Sequence, residues 1–422
     1  MGDGQVSPKE YWIWLQYALG AGARVDEILA QYGSPEKIYY AGSRDWRLSG
    51  VFKADTISRL LKKSPSETYS VIKECEENGW HIITPDDEYY PDGFKNLTNF
   101  PLVLYVWGDP EVLKHQVPIS IVGTRYASVY GKKIATALAA SLSKAGALIV
   151  SGGAKGIDSC AHIGALNAKG KTVAFLGCGL KSNYLIENLE LRKLIAKNGA
   201  VVSEYTPQTE PTRFAFPIRN RLISAMSLGT VVIEAGEKSG SLITARLALE
   251  QGRDVFAVPG DIVSSNFKGT NRLLREGAKP VFSALDVLEE YVFEFADRLN
   301  LENTGELIID NSVSTDIPKV SYESNTAARK SVKINRTAEK QQNSAQITFE
   351  SAAKENPQSK PTAPEGLSEC AMQIFGFLSD TPISTEEILS KSSFPSSEVL
   401  TALTELEFSG AVKVFPGGLF SV

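Results

Sequence analysis

The chain has 422 residues, 43% of them hydrophobic, and a formal charge of −5. That length buries at least one large core and points to two or three domains. No apolar run reaches the roughly 18 residues of a spanning helix, and the opening MGDGQVSPKE lacks the charged-then-apolar pattern of an export signal. We therefore expect a cytoplasmic protein without membrane contact. Cys75, Cys160, Cys178 and Cys370 lie far apart, which excludes a disulfide framework or a zinc knuckle and reads as four buried small hydrophobes. No metal or cofactor is expected.

The charge is unevenly spread. Residues 118–280 hold 21 Lys and Arg against 11 Asp and Glu, a balance of +10 that leaves −15 for the rest of the chain. Such asymmetry favours a polyanionic ligand for the middle segment. The alternative is that these cations only decorate solvated helix faces.

In chain order, residues 1–80 read as a small helical domain. The stretch GAGARVDEILAQYGSPEKIYYAG offers a glycine turn between two apolar-periodic segments, compatible with a helix-hairpin-helix or a SAM-like fold. HIITPDDEYYPDGFKNLTNFPLVLYVWGD follows and predicts one or two short strands with an irregular connection. From residue 117 the pattern becomes strand and helix in alternation. VPISIVG, ALIVSG, KTVAFLG, GAVVSEY, GTVVIEAG and RDVFAVPG are short apolar runs separated by helix-length segments. This is the signature of a doubly wound, mostly parallel sheet covered on both faces, here assigned to residues 81–297. Ligands of such sheets sit beyond the carboxyl ends of the strands.

The loops after those ends carry the candidate site. After the first run come Gly123, Thr124 and Arg125, at the start of a helix whose free N–H groups favour an anion. After the second come Ser151, Gly152, Gly153, Lys155 and Gly156, with Asp158 as helix cap or orienting partner for Lys155. Later, Arg219, Asn220 and Arg221 lie near the start of the helix FPIRNRLISAMS, and Ser239, Gly240 and Ser241 open another. Neither glycine loop has the spacing of a dinucleotide or triphosphate fingerprint, so a general phosphate cradle fits better. Catalytic equipment is missing: the histidines are His81, His115 and His162, and no nucleophile elbow or H-E-x-x-H appears. A non-enzyme is expected.

IVGTR, SGGAKGIDSCAH, GCGL, SEY, FPIRNRLISAMS, VVIEAGEKSGSLITARLALEQGRDVFAVPG and GTNRLLREGA, in order over residues 91–278, resemble the DNA processing protein A family, also called DprA or Smf. The resemblance implies an extended Rossmann-like domain that binds single-stranded DNA, forms a homodimer, and helps place the RecA recombinase on incoming strands in natural transformation. It also implies that Gly123, Thr124 and Arg125 form the family's glycine-hydroxyl-arginine turn and that Lys155 is its phosphate-loop lysine. Thr124 replaces a more usual serine and keeps the hydroxyl. Gly153 replaces a common leucine and should loosen its loop, and Tyr184-Leu185 replaces a tyrosine-proline pair.

On this reading Pro217 occupies a first helical turn, where it is tolerated, and Arg219, Asn220 and Arg221 reach the strand ends to meet DNA. The alternative is that one arginine pairs internally with Glu204 or Glu234. Two rival functions remain open. One is a phosphoribohydrolase-like enzyme, although the P-G-G-x-G-T-x-x-E signature of such enzymes is absent. The other is a regulator that senses a small nucleotide in the same crevice. The segment NRLLREGAKPVFSALDVLEEYVFEF has apolar residues on more than one helical face, as a dimer surface would.

Residues 298–365 are rich in Ser, Thr, Asn, Gln and Lys and read as a disordered linker. Residues 366–422 recover periodicity, with three helices and then two strands, the order of a winged helix. Its third helix, SSEVLTALTELEF, carries Glu398, Glu405 and Glu407 and no Lys or Arg, which opposes entry into a phosphate-lined groove. We expect a protein partner, or an autoinhibitory contact with the +10 segment, for this domain. Deleting everything after Glu365 should therefore leave single-strand affinity unchanged or raised in a gel-shift titration; a large loss would show that the domain grips DNA.

Overall fold

The computed structural model describes residues 6–184, 186–304, 307, 313–317, 367–379, 383–409, 411–415 and 419–421. The chain divides into two compact units, Met1–Asn325 and Thr326–Val422. All six apolar runs after residue 117 form strands, and the preceding stretch supplies two more. The strands of the first unit are β1 (Trp80–Ile83), β2 (Leu104–Gly108), β3 (Pro118–Val122), β4 (Leu148–Ser151), β5 (Thr172–Leu176), β6 (Gly199–Ser203), β7 (Gly229–Val232), β8 (Asp254–Ala257) and β9 (Lys279–Pro280). They make one sheet in the order β1-β2-β6-β5-β4-β3-β7-β8-β9. β1 and β2 join it antiparallel and the rest pair in parallel.

The central strands are buried along their whole length, so their β-branched and aromatic residues serve two cores in alternation. Val173 and Phe175 of β5 pack with Leu222 and Ile223 of the helix Ala215–Met226. Ala174 and Leu176 face the opposite side, with Ile163, Leu191 and Ile195. The order runs outward from β3 in both directions, first β4 and then β7, which makes the carboxyl end of β3 the switch point of the sheet.

The N-terminal residues form helices Pro8–Leu19, Asp26–Tyr32, Pro35–Ser49, Ala54–Lys62 and Tyr69–Glu77. Trp14, Ile38, Trp46 and Leu60 share a core with Ala174, Tyr105 and Val201 of the sheet, and so these helices belong to the same unit. Their glycine turn is half-exposed, and its second glycine meets the helix Ala215–Met226. A side chain at Gly22 would stand 2.6 Å from Ile218 Cγ2, and the Gly22 N–H donates to Glu204 Oε1 at 3.2 Å. The turn is a docking contact, and glycine is favoured because φ is +74° and a Cβ would strike the Ile218 side chain.

Residues 298–304, expected as the start of the linker, are instead packed. The Asn300 N–H donates to the Ala145 carbonyl, and Leu299 enters the core around β3 and β7. Most of the remaining linker stretch lies outside the described residues. The second unit contains helices Glu369–Phe377, Thr385–Lys391 and Ser396–Phe408. Ile383–Ser384, Lys413–Phe415 and Leu419–Ser421 form its antiparallel sheet, one strand more than expected. Glu405 accepts from the Ser368 N–H at 2.9 Å and from its hydroxyl at 2.5 Å, so one acid of the third helix is used to tie down the first.

Arg221 and Glu204 form a buried ion pair at 2.6 Å where the Gly22 turn meets the sheet. Arg221→Ala leaves a carboxylate buried without its cation and should cost about 3–5 kcal/mol in denaturant unfolding of the first unit. Arg221→Met combined with Glu204→Gln should recover most of that loss.

Candidate nucleic-acid interface at the sheet switch point

A cavity of about 480 Å³ opens at the carboxyl end of β3. Four chain segments converge on it: Gly123 to Tyr126 after β3, Ala154 and Asp158 after β4, Arg213 to Asn220 at the start of the helix Ala215–Met226, and Ser239 to Ser241 after β7. Of the expected residues, Gly123, Thr124, Arg125, Arg219, Asn220, Ser239, Gly240 and Ser241 line this cleft together.

Arg125 is exposed, and its guanidinium carbon lies 4.9 Å from the centroid of the Phe216 ring. Stacking on an aromatic face holds a cation without neutralising it. Thr124 fixes the turn: its N–H donates to the Glu234 carbonyl at 2.8 Å, and its hydroxyl accepts from the Tyr126 N–H at 3.2 Å. Arg213 is also exposed and sits over Phe214, 4.7 Å from the ring centroid.

Arg219 is only 4% exposed. Its Nη1 donates to the carbonyls of Gly152, after β4, and Phe175, in β5. A side chain at Gly152 would collide with both this nitrogen and Asp158 Oδ2, so the loop can pass between the two charges only as glycine. Burial raises the Asp158 carboxyl above its ordinary range against the opposing pull of Arg219, and burial lowers the Arg219 guanidinium. Asp158 lies in the field of Arg219 and accepts from the Ala154 N–H at 3.4 Å before its helix, whereas Lys155, its other expected partner, pairs with Glu187. Arg219 forms the floor of the cleft and keeps its charge beneath it.

The helix Ser241–Glu250 begins at the cleft without a side-chain cap. The N–H groups of Leu242 and Ile243 bond to the Ser239 and Gly240 carbonyls, so what this turn brings to the cleft is the hydroxyls of Ser239 and Ser241, 2.9 Å from each other, at the positive end of the helix dipole. The helix after the Thr124 turn does not play that part. It begins at Val129, capped by Ser128, and the buried Glu234 carboxylate accepts from the Ser128 N–H and hydroxyl. The anion position expected there is filled by the protein's own acid.

The remaining expected residues do not line the cleft. The Ser151 hydroxyl is buried and donates to the Ile121 carbonyl. Gly153 takes φ +63°, so it defines the loop's path. Gly156, at φ +78°, passes under the Thr124 and Arg125 carbonyls. Lys155 stands half-exposed, ion-paired with Glu187. Arg221 lies two residues from Arg219, which on a helix is about 200° around the axis, and it faces Glu204 instead. The internal pairing with Glu204 weighed as the alternative for one arginine of the triplet is the one Arg221 makes, and the helical period separates it from Arg219. Arg213, Tyr126 and Phe216 were not among the expected site residues, although aromatics beside arginines are a signal of stacking.

No group of three or more potential metal ligands occurs among the described residues. His162 is buried, with Nδ1 2.7 Å from the Thr172 hydroxyl, and burial pushes its imidazole down to about 3, so it is neutral. The cleft offers cations, amides, hydroxyls and aromatic faces: a surface for binding a phosphate chain.

Comparison with known proteins agrees with this architecture. The chain is 41% identical over 238 residues to DNA processing protein DprA of Bacillus subtilis, covering 56% of this chain and 80% of that one. It is 42% identical over 237 residues to the DprA of Streptococcus pneumoniae, covering 56% and 78%. Protein Smf of Synechocystis is 28% identical across 97% of this chain and 98% of its own. The X-ray structure of the S. pneumoniae protein superposes with a TM-score of 0.59 at 34% identity, over 67% of this chain and 97% of that one. Residues 358–418 match the DprA winged helix domain. Residues 81–292, which contain β2 to β9, all of β1 but Trp80, and every segment that lines the cleft, match DNA recombination-mediator protein A, and the chain belongs to that family.

Proposed function

We propose that the switch-point cleft binds the backbone of single-stranded DNA without reading its sequence, and that the protein acts as a recombination mediator and not as an enzyme. The observation that carries this reading is the Arg125 guanidinium, held on Phe216 over a floor that contains Arg219. Cations on aromatic platforms beside serine hydroxyls at a helix N-terminus suit phosphates and unstacked bases, and they carry no donor-acceptor pattern that selects a base. The strand so held is protected and passed to the RecA recombinase; family membership supports this part. The protein works as a homodimer, a reading supported by Phe282, Leu285 and Phe293, the last 95% exposed, on the segment after β9. A monomer in light scattering at high micromolar concentration would contradict that assembly.

Arg125→Ala should lower the affinity for an oligothymidine and reduce the slope of log K against log salt by about 0.7, which is about fivefold at 0.1 M salt. Lys155→Ala should do less, because its ammonium is already paired with Glu187. Unchanged affinity and slope for Arg125→Ala would remove the cleft from consideration.

A further inference from the structure

A second cavity, of about 650 Å³, lies on the other side of the helix Ala215–Met226, between the Gly22 turn and the helix Ser241–Glu250. Three arginines line it, Arg221, Arg246 and Arg253, against the single acid Glu250. Arg246 meets Glu250 at 3.5 Å as an exposed pair one helical turn apart, which neutralises little in water. Arg253 spends one nitrogen on the Ala225 carbonyl at 3.3 Å and leaves Nε without a partner. Arg221 uses Nη2 for Glu204, while its buried Nε and Nη1 have no partner among the described residues. Those nitrogens are buried behind the cavity surface, so what the cavity offers an anion is the positive balance of its wall, three arginines against the single acid Glu250, with Arg221 already paired to Glu204.

The cavity is continuous in chain terms with the switch-point cleft, because Pro217 and Ile243 line both. Those two residues, each in the first turn of its helix, form the divide between them. Arg246 stands three residues beyond Ile243, about 4.5 Å further along the axis. This is within reach of the next phosphates of a strand that crosses the divide.

We propose that this cavity is a second phosphate subsite for the same DNA strand. The strand leaves Arg125 and the N-terminus of the helix Ser241–Glu250, crosses Pro217 and Ile243, and places following phosphodiesters on Arg246 and Arg253. The inference rests on the cleft reading given above and extends it from a point contact to a path.

The test compares oligothymidines of about 4 and about 12 nucleotides on the full chain, within the site sizes common for single-strand binders. Arg246→Ala/Arg253→Ala should weaken the longer oligomer by roughly 25-fold at 0.1 M salt and lower its salt slope by about 1.4, two contacts at 0.7 each. Binding of the shorter oligomer, held by the cleft alone, should be retained, and that retention shows that the variant is folded. Arg246→Lys/Arg253→Lys should restore most of the affinity. If Arg125→Ala weakens both lengths while the double variant changes neither, the path is wrong and the cleft stands. If the double variant weakens the short oligomer while Arg125→Ala has no effect, the cleft reading fails and the path with it.

Discussion

The contacts of Arg219 are the constraint on which the cleft depends. One guanidinium bridges the Gly152 and Phe175 carbonyls, and so ties the ends of two neighbouring strands to the helix Ala215–Met226. Three consequences follow from its burial. Position 152 must lack a side chain. Asp158 must stay close, because a buried cation without an acid is far more costly than one with it. The first turn of the helix is then held at a fixed height over the strand ends, and this puts Phe216 where it can support Arg125. The exposed arginine that meets a ligand is positioned by the buried one that does not.

The two arginines of the RNR triplet show how one helix serves two tasks. Arg219 faces the strand ends, whereas Arg221 faces Glu204 and the Gly22 turn. The same helix therefore fixes the cleft on one side and the N-terminal helices on the other. Cavities open on both sides of it, separated by Pro217 and Ile243. Both are basic because the helices that wall them carry arginines on neighbouring turns, in a segment whose balance is +10.

Much of this was legible in the chain itself. Uninterrupted apolar runs such as VPISIVG and KTVAFLG mark strands buried on both faces, and their alternation with helices leaves few topologies other than a doubly wound sheet. Convergence of the loops around Arg125, Arg219 and Ser239 was legible for the same reason, since parallel strands deliver their following loops to one edge. What sequence hid were long-range pairings. Nothing local indicates that Glu234, 106 residues from Ser128, fills the helix N-terminus expected to bind an anion, or that Gly22 is reserved for Ile218. The divergence of Arg219 and Arg221 is different: the helical period contains it. Lys155 looked like a phosphate ligand by type, and only the fold brings Glu187 beside it.

Photocrosslinking of a bromodeoxyuridine-substituted oligonucleotide, followed by peptide mapping, measures directly where the strand lies. The account predicts adducts on Tyr126, 91% exposed at the rim of the cleft, and on peptides that contain Phe214 and Phe216. Adducts confined to the winged helix or to the N-terminal helices, with none on these residues, would contradict it.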